Sequence, residues 1–280
     1  MKKRSWILFM LFMMISSDTL ESQCSDAGIC SIGHQPVRQQ FQLSLDYLFG
    51  KSSKTDGLTF HSVLATVSVP AFEDSRLTFL LPYNSQSGPL GSVSGIGDLT
   101  AFWTQLFFSE TDFRLSANVG ARIALAEVNS RGLPQAYQSG LGTNDLLAGI
   151  SLETGKWDFS IGYQLSRGRS KNTVSRLRRG DDLLLAAGYE VPMGNLTAVG
   201  EILFIKRLHQ SNAVTPPAAQ PLPIPGSDQT QINLVGRLLV PVSERIHARG
   251  MLAVPVLRRD VNIDGLTRSV SLSVGFTYMF

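Results

Sequence analysis

From Val270 to the last residue the chain alternates without a break. Val270, Leu272, Val274, Phe276, Tyr278 and Phe280 occupy one set of positions, and Ser271, Ser273, Gly275 and Thr277 the other. A period of two sends successive side chains to opposite faces of a strand, so this stretch has one apolar face and one small, polar face. The apolar face ends in aromatics at Phe276, Tyr278 and Phe280, which suits a strand whose outer surface reaches a membrane interface. Such a strand either edges a soluble sandwich or crosses a bilayer, and the rest of the chain has to decide between them.

The same pattern recurs. Strands are expected over residues 38–49, 58–69, 76–83, 96–107, 112–125, 143–153, 157–166, 181–191, 196–207, 229–242 and 246–256. In the clearest internal one, Phe113, Leu115, Ala117, Val119, Ala121, Ile123 and Leu125 alternate with Arg114, Ser116, Asn118, Gly120, Arg122 and Ala124. The segments have about the length of a tilted strand that crosses a bilayer, roughly 9–11 residues. Short turns, such as Gly155-Lys156, alternate with long polar loops at 84–95, 126–142, 167–180 and 209–228. That asymmetry belongs to membrane barrels, whose turns at one rim are short and whose loops at the other are long. Closure also pairs every backbone group, which lipid demands. The expected fold is therefore all-β: a transmembrane antiparallel up-and-down β-barrel of about 12 strands over residues 38–280. The charged fraction, 17%, lies below the roughly 25% of soluble domains.

The N-terminus reads as a targeting segment. Lys2, Lys3 and Arg4 precede an apolar run over residues 6–15, as in a secretory signal peptide. We expect residues 1–23 to be that signal, cut between Ser17 and Cys24, and 24–37 to be a periplasmic leader. Cys24 and Cys30 are expected to form a disulfide, because an even pair in an exported chain favours one. A terminal strand ending on Phe resembles the assembly signal of bacterial outer-membrane barrels. The bacterial outer membrane is thus the expected location, its lipids and the barrel-assembly machinery the expected partners, and Tyr278 and Phe280 the assembly signal. A net charge of +3 gives no reason to invoke nucleic acid.

No catalytic constellation is visible. The 4 histidines, His34, His61, His209 and His247, sit in no nucleophile–base motif, and neither metal spacing nor a phosphate loop occurs. No cofactor or metal is expected. The inner face says more. By phase it carries Arg114, Arg122, Asp158, Glu201, Arg237, His247 and Arg249, read as pore-lining, with Asp46 and Asp98 beside them. Charges of both signs inside a barrel need either water or ion pairs, and both arrangements stay open. Arg237 and Arg249 are expected to form one basic patch at mid-lumen, with Glu201 at similar depth. Arg176, Arg178 and Arg179 read as a solvated loop.

Residues 94–108, SGIGDLTAFWTQLFF, resemble the Gly-hydrophobic-Gly-Asp-Leu strand start of the meta-pathway phenol-degradation family of outer-membrane proteins. Residues 142–163, GTNDLLAGISLETGKWDFSIGY, resemble that family's second hallmark hairpin. The resemblance implies a channel for small, often aromatic or hydrophobic solutes and no catalytic residue. The Pro-rich loop at 215–225 departs from it. The alternatives are a selective porin for anionic oligosaccharides or nucleosides, with Arg114, Arg122, Arg237 and Arg249 as its basic track, and a non-conducting barrel that anchors a partner.

Overall fold

Strands pair with their neighbours in chain order, all antiparallel, until the last closes on the first. The structure, a computed structural model, describes residues 40–52, 56–167, 171–214 and 219–280. The signal segment, the leader and the expected Cys24–Cys30 disulfide lie outside the described residues.

The strands are β1 Gln42–Lys51, β2 Thr59–Pro70, β3 Ser75–Gly88, β4 in two pieces at Gly91–Ile96 and Leu99–Glu110, and β5 Phe113–Ile123. They continue as β6 Asn144–Thr154, β7 Trp157–Arg167, β8 Asp182–Met193, β9 Leu196–Arg207, β10 Thr230–Pro241, β11 Ile246–Leu257 and β12 Val270–Met279. Both pieces of β4 pair with β3, so the fold is a closed, antiparallel 12-strand β-barrel. We call the rim that carries Gln42 and Phe280 the turn end and the opposite rim the loop end.

Packing is inverted relative to a soluble protein. On β12, Val274 is 53% and Phe276 61% exposed, while Ser271 and Ser273 are each 1% exposed. Apolar outside and polar inside, repeated on every strand, means that the outer solvent is lipid. Aromatic side chains gird the turn end, where Phe41 meets Phe280 at a centroid distance of 4.8 Å and Trp157 meets Tyr189 at 4.7 Å. Near the loop end, the Tyr47 hydroxyl and His61 Nδ1 share a hydrogen bond of 2.7 Å. Such amphipathic rings suit a membrane–water boundary.

Two sequence expectations need correction. Residues 84–95 are not a loop. β3 and the first piece of β4 continue through them as a hairpin whose tip is Pro89-Leu90. Its Ser, Gln and Gly residues give no apolar alternation, because that part of the hairpin has no lipid to face. The strand expected over 96–107 is also interrupted, at Gly97-Asp98. A Cβ at Gly97 would sit 2.6 Å from Pro82 Cγ. Only glycine lets β4 pass this close to β3 while Asp98 turns inward.

Candidate functional site

Pairing register locates the residues that share a level inside the barrel. Leu48, Leu64, Leu80, Phe102, Leu147, Leu184, Leu203, Val235 and Met251 point inward and belong to one packed cluster with Ile205 and Ala253. Each sits among mostly polar neighbours of the same phase, although Phe60 on β2, Leu239 on β10 and Val199 and Ile205 on β9 also point inward. Passing from one to the next requires two-residue steps toward the turn end at several boundaries. Leu48, for example, lies opposite Ser62, two residues above Leu64. Tilted strands impose this stagger on any level ring. Between Phe102 and Leu147 the inward residue of β5 is Gly120. A Cβ there would come within 2.5 Å of Phe102 Cδ1, so the ring fills the space that glycine leaves. The cluster is an apolar belt across the lumen. Leu64, Leu80 and Leu203 are each 1% exposed, so water scarcely reaches it.

Polar layers bound the belt on both sides. Toward the turn end, Arg237 forms a forked pair with Glu201, at 2.7 and 2.9 Å. Arg249 Nε donates to Asp46 at 2.7 Å, and a second guanidinium nitrogen contacts the same carboxylate. On the other wall of this layer stand Thr66, Thr104 and Asn118, whose buried side-chain oxygens carry no protein hydrogen bond. Asp158 lies lower, against the bare backbone of Gly188. His247, half-buried, and Arg114 lie nearer the turn end. Arg114 is 47% exposed and 3.7 Å from Glu153.

Toward the loop end lies a larger network. Arg122 pairs with Asp145 at 3.2 Å. Asp182 receives Arg179 at 2.8 Å and Arg207 at 3.0 Å, with Arg259 at 3.6 Å. Asp264 receives Arg207 at 3.0 Å and Arg179 at 3.2 Å. Gln164 donates to Asp145 at 2.6 Å. Strand ends supply Arg122, Asp145, Asp182 and Arg207, whereas loops supply Arg179, Arg259 and Asp264.

The loop between β5 and β6 folds over the mouth, and Asp98 holds it. Its carboxylate accepts backbone N–H groups from Leu141 at 2.7 Å and from Ala126 and Gly142 at 3.1 Å each. Gly140 and Gly142 give the backbone its close approach: a Cβ at Gly140 would sit 2.4 Å from that of Ala126, and Gly142 has a φ of 63°. Aspartate and backbone donors suit each other as they do at an N-cap. The Gly-Asp element at 97–98 and the start of the segment 142–163 thus meet at one carboxylate. Tyr137 from the same loop packs on Leu58 and Phe60. Asn172 donates to the carbonyls of Val128 and Leu133, tying the β7–β8 loop to this cap.

Several expectations change on these contacts. Arg237 and Arg249 do not form one basic patch that Glu201 partly balances. Each has its own carboxylate, because Arg249 faces β1 across the closing seam, a contact that sequence neighbourhood cannot reveal. Arg179 is not solvated; it is 4% exposed and reaches three aspartates. Arg114 and Arg122, on one strand, lie on opposite sides of the belt, as their spacing in the sequence requires. Of the network, Asp145, Asp182 and Arg207 could have been placed inward from their phase with Leu147, Leu184 and Ile205. The loop residues Arg179, Arg259 and Asp264 carry no such signal.

The network makes the cap sensitive to acid. Burial alone would raise the Asp264 carboxyl, but Arg207, Arg179 and Arg259 together hold it below the ordinary carboxylate value. A carboxylate depressed in the folded state contributes stability above its unfolded pKa and loses it as pH falls through the folded one. Below about pH 3.9, hydrogen exchange in residues 258–267 should therefore rise more steeply than in the strands. Asp264→Asn should already exchange fast at neutral pH and show little further change on acidification.

No protein-family model matches the chain, and no curated protein does. Among solved structures it is similar to an outer-membrane channel from Pseudomonas putida F1, with 14% identity over 88% of this chain and 98% of that one and a TM-score of 0.62. It is also similar to the NanC porin, with 11% identity over 84% and 100% of the two chains and a TM-score of 0.49. Outer-membrane phospholipase A from Escherichia coli follows, with 10% identity over 91% and 98% and a TM-score of 0.45. At such identities the likeness is one of fold, carried by the first of these, and the fold is that of bacterial outer-membrane barrels.

Proposed function

We propose that the chain is an outer-membrane channel that passes small, uncharged, hydrophobic or aromatic solutes down their gradient and holds back free ions. The carrying observation is the belt from Leu48 to Met251. An apolar constriction repels ions by dewetting, since a bare charge has no ligands there. A low-polarity solute has much less hydration to lose. The hydroxyl and amide groups of Thr66, Thr104 and Asn118 beneath the belt can receive the polar end of a phenol-like solute. The two ion-paired layers fix the wall and carry little net field into the passage. This agrees with the family resemblance of residues 94–108 and 142–163. It favours the channel over a porin for anionic oligosaccharides, whose many hydroxyls would have to shed water at the belt. No catalysis belongs to the reading: His61, whose ring lies with Tyr47 and Phe49, is on the lipid side.

Passage past the belt requires the cap and the belt side chains to move, so the test is transport. Liposomes containing the refolded protein should take up toluene or phenol faster than empty liposomes and glucose no faster. In a planar bilayer the same protein should give little steady current in potassium chloride. A large, stable ion current together with rapid glucose uptake would defeat the proposal in favour of a hydrophilic porin. No uptake of any solute would favour the anchor.

A further inference from the structure

At the loop end, beneath the inward-folded loop between β5 and β6, lies a cavity of about 40 Å³. Phe60, Ser62, Gln86, Arg122, Ser139 and Arg268 are among its lining residues. The Arg268 guanidinium sits over the Phe60 ring, 4.7 Å from its centroid. Gly50 makes room for it: a Cβ there would stand 2.6 Å from Arg268 Cδ. Arg268 Nε is buried without a hydrogen-bond partner among the described residues. Burial alone pushes this guanidinium down to about 10, with no carboxylate opposing the shift. It therefore stays charged at neutral pH. Two carboxylates also line the cavity, but both are committed. Asp98 holds the three backbone N–H groups described above, and Asp264 is bound by Arg179 and Arg207.

A half-buried cation with its Nε out of water and no counter-charge among the described residues is costly, and a planar guanidinium is suited to a carboxylate. We propose that this cavity is a binding site for a small carboxylate, with Arg268 as the group that pairs with the anion and Phe60 as the apolar wall beside it. Its volume corresponds to roughly three water positions at about 10–15 Å³ each, which is enough for a carboxylate head. The site lies on the loop side of the belt, so an organic acid would be held at the mouth without crossing.

Binding can be measured on the full-length folded protein in detergent, without any flux, so its failure would leave the channel reading untouched. Titration with benzoate, followed by calorimetry, should saturate in wild type. Benzyl alcohol, of similar shape but uncharged, should bind at least about tenfold more weakly. Arg268→Gln should weaken benzoate by about tenfold or more, while Arg268→Lys, which keeps the charge, should lose less. Gly50→Ala, which displaces the Arg268 stem, provides an independent variant if Arg268→Gln does not give a heat-modifiable barrel. The proposal is overturned if benzoate does not saturate, if the alcohol binds as well, or if neither Arg268→Gln nor Gly50→Ala changes its affinity.

Discussion

Asp182→Ala should be among the most destabilising single substitutions in the barrel. Its carboxylate is shared by Arg179 and Arg207 at hydrogen-bond distance, with Arg259 at 3.6 Å. Removing it takes one of three carboxylates, with Asp145 and Asp264, from the ion pairs described above for Arg122, Arg179, Arg207 and Arg259. The loss of one partner from a buried ion pair costs about 3–5 kcal/mol, chiefly because the stranded charge cannot regain water. In a chain of this size that corresponds to a fall in Tm of roughly 6–20 °C. Thermal unfolding in detergent, read by the heat-modifiable shift in migration, measures it. Glu153→Ala is the matched control. It breaks a partly exposed contact of 3.7 Å with Arg114, and such pairs contribute about 0–1 kcal/mol. If the two variants melt together, the loop-end network does not bear on stability and its arginines are reached by solvent.

The contrast between these sites also shows what the sequence could disclose. Alternation is enough to place Asp182 and Asp145 inward, on the same inner face as Leu184 and Leu147, although neither carboxylate stands among the inner-face residues expected from the sequence. It could not say that these leucines share a level with Leu48 or Leu203. That depends on the register between strands, which is set by closure and tilt and leaves no trace in one strand's pattern. Single inward leucines in mostly polar sets look like noise until the stagger aligns them into a belt. The reverse holds for Arg179, Arg259 and Asp264. In loops without a period, a charge reads as solvated, and only the inward fold of the 124–143 and 258–269 segments buries them. The Gly-Asp element at 97–98 was visible as a motif, but its work became clear only when Asp98 was seen to hold the far loop's backbone. Strand phase was therefore legible where a strand faces lipid, not in the 84–95 hairpin, and contacts between distant strands or loops were not legible.

The belt leads to the second large effect. Changing Leu64 and Leu203 together to Ser should raise single-channel conductance in potassium chloride by about tenfold or more. Both side chains are 1% exposed, and they come from β2 and β9, on different walls of the belt. Two hydroxyls there give water and ions partners where there were none. Each 1.36 kcal/mol removed from a crossing barrier is worth about a factor of ten, and leaving a polar group unsolvated costs about 2–7 kcal/mol. Even partial wetting therefore supplies the change. Arg237→Ser with Arg249→Ser should act differently. These arginines lie below the belt and each is neutralised by Glu201 or Asp46. Their loss should tilt the reversal potential toward cations, because two carboxylates are left uncompensated, while total conductance rises much less. Both variants must first show a folded, heat-modifiable barrel. If the serine pair leaves conductance unchanged and the arginine pair raises it as much or more, then the charged layer controls passage. The belt would in that case be packing, and the exclusion of ions would have to come from the cap.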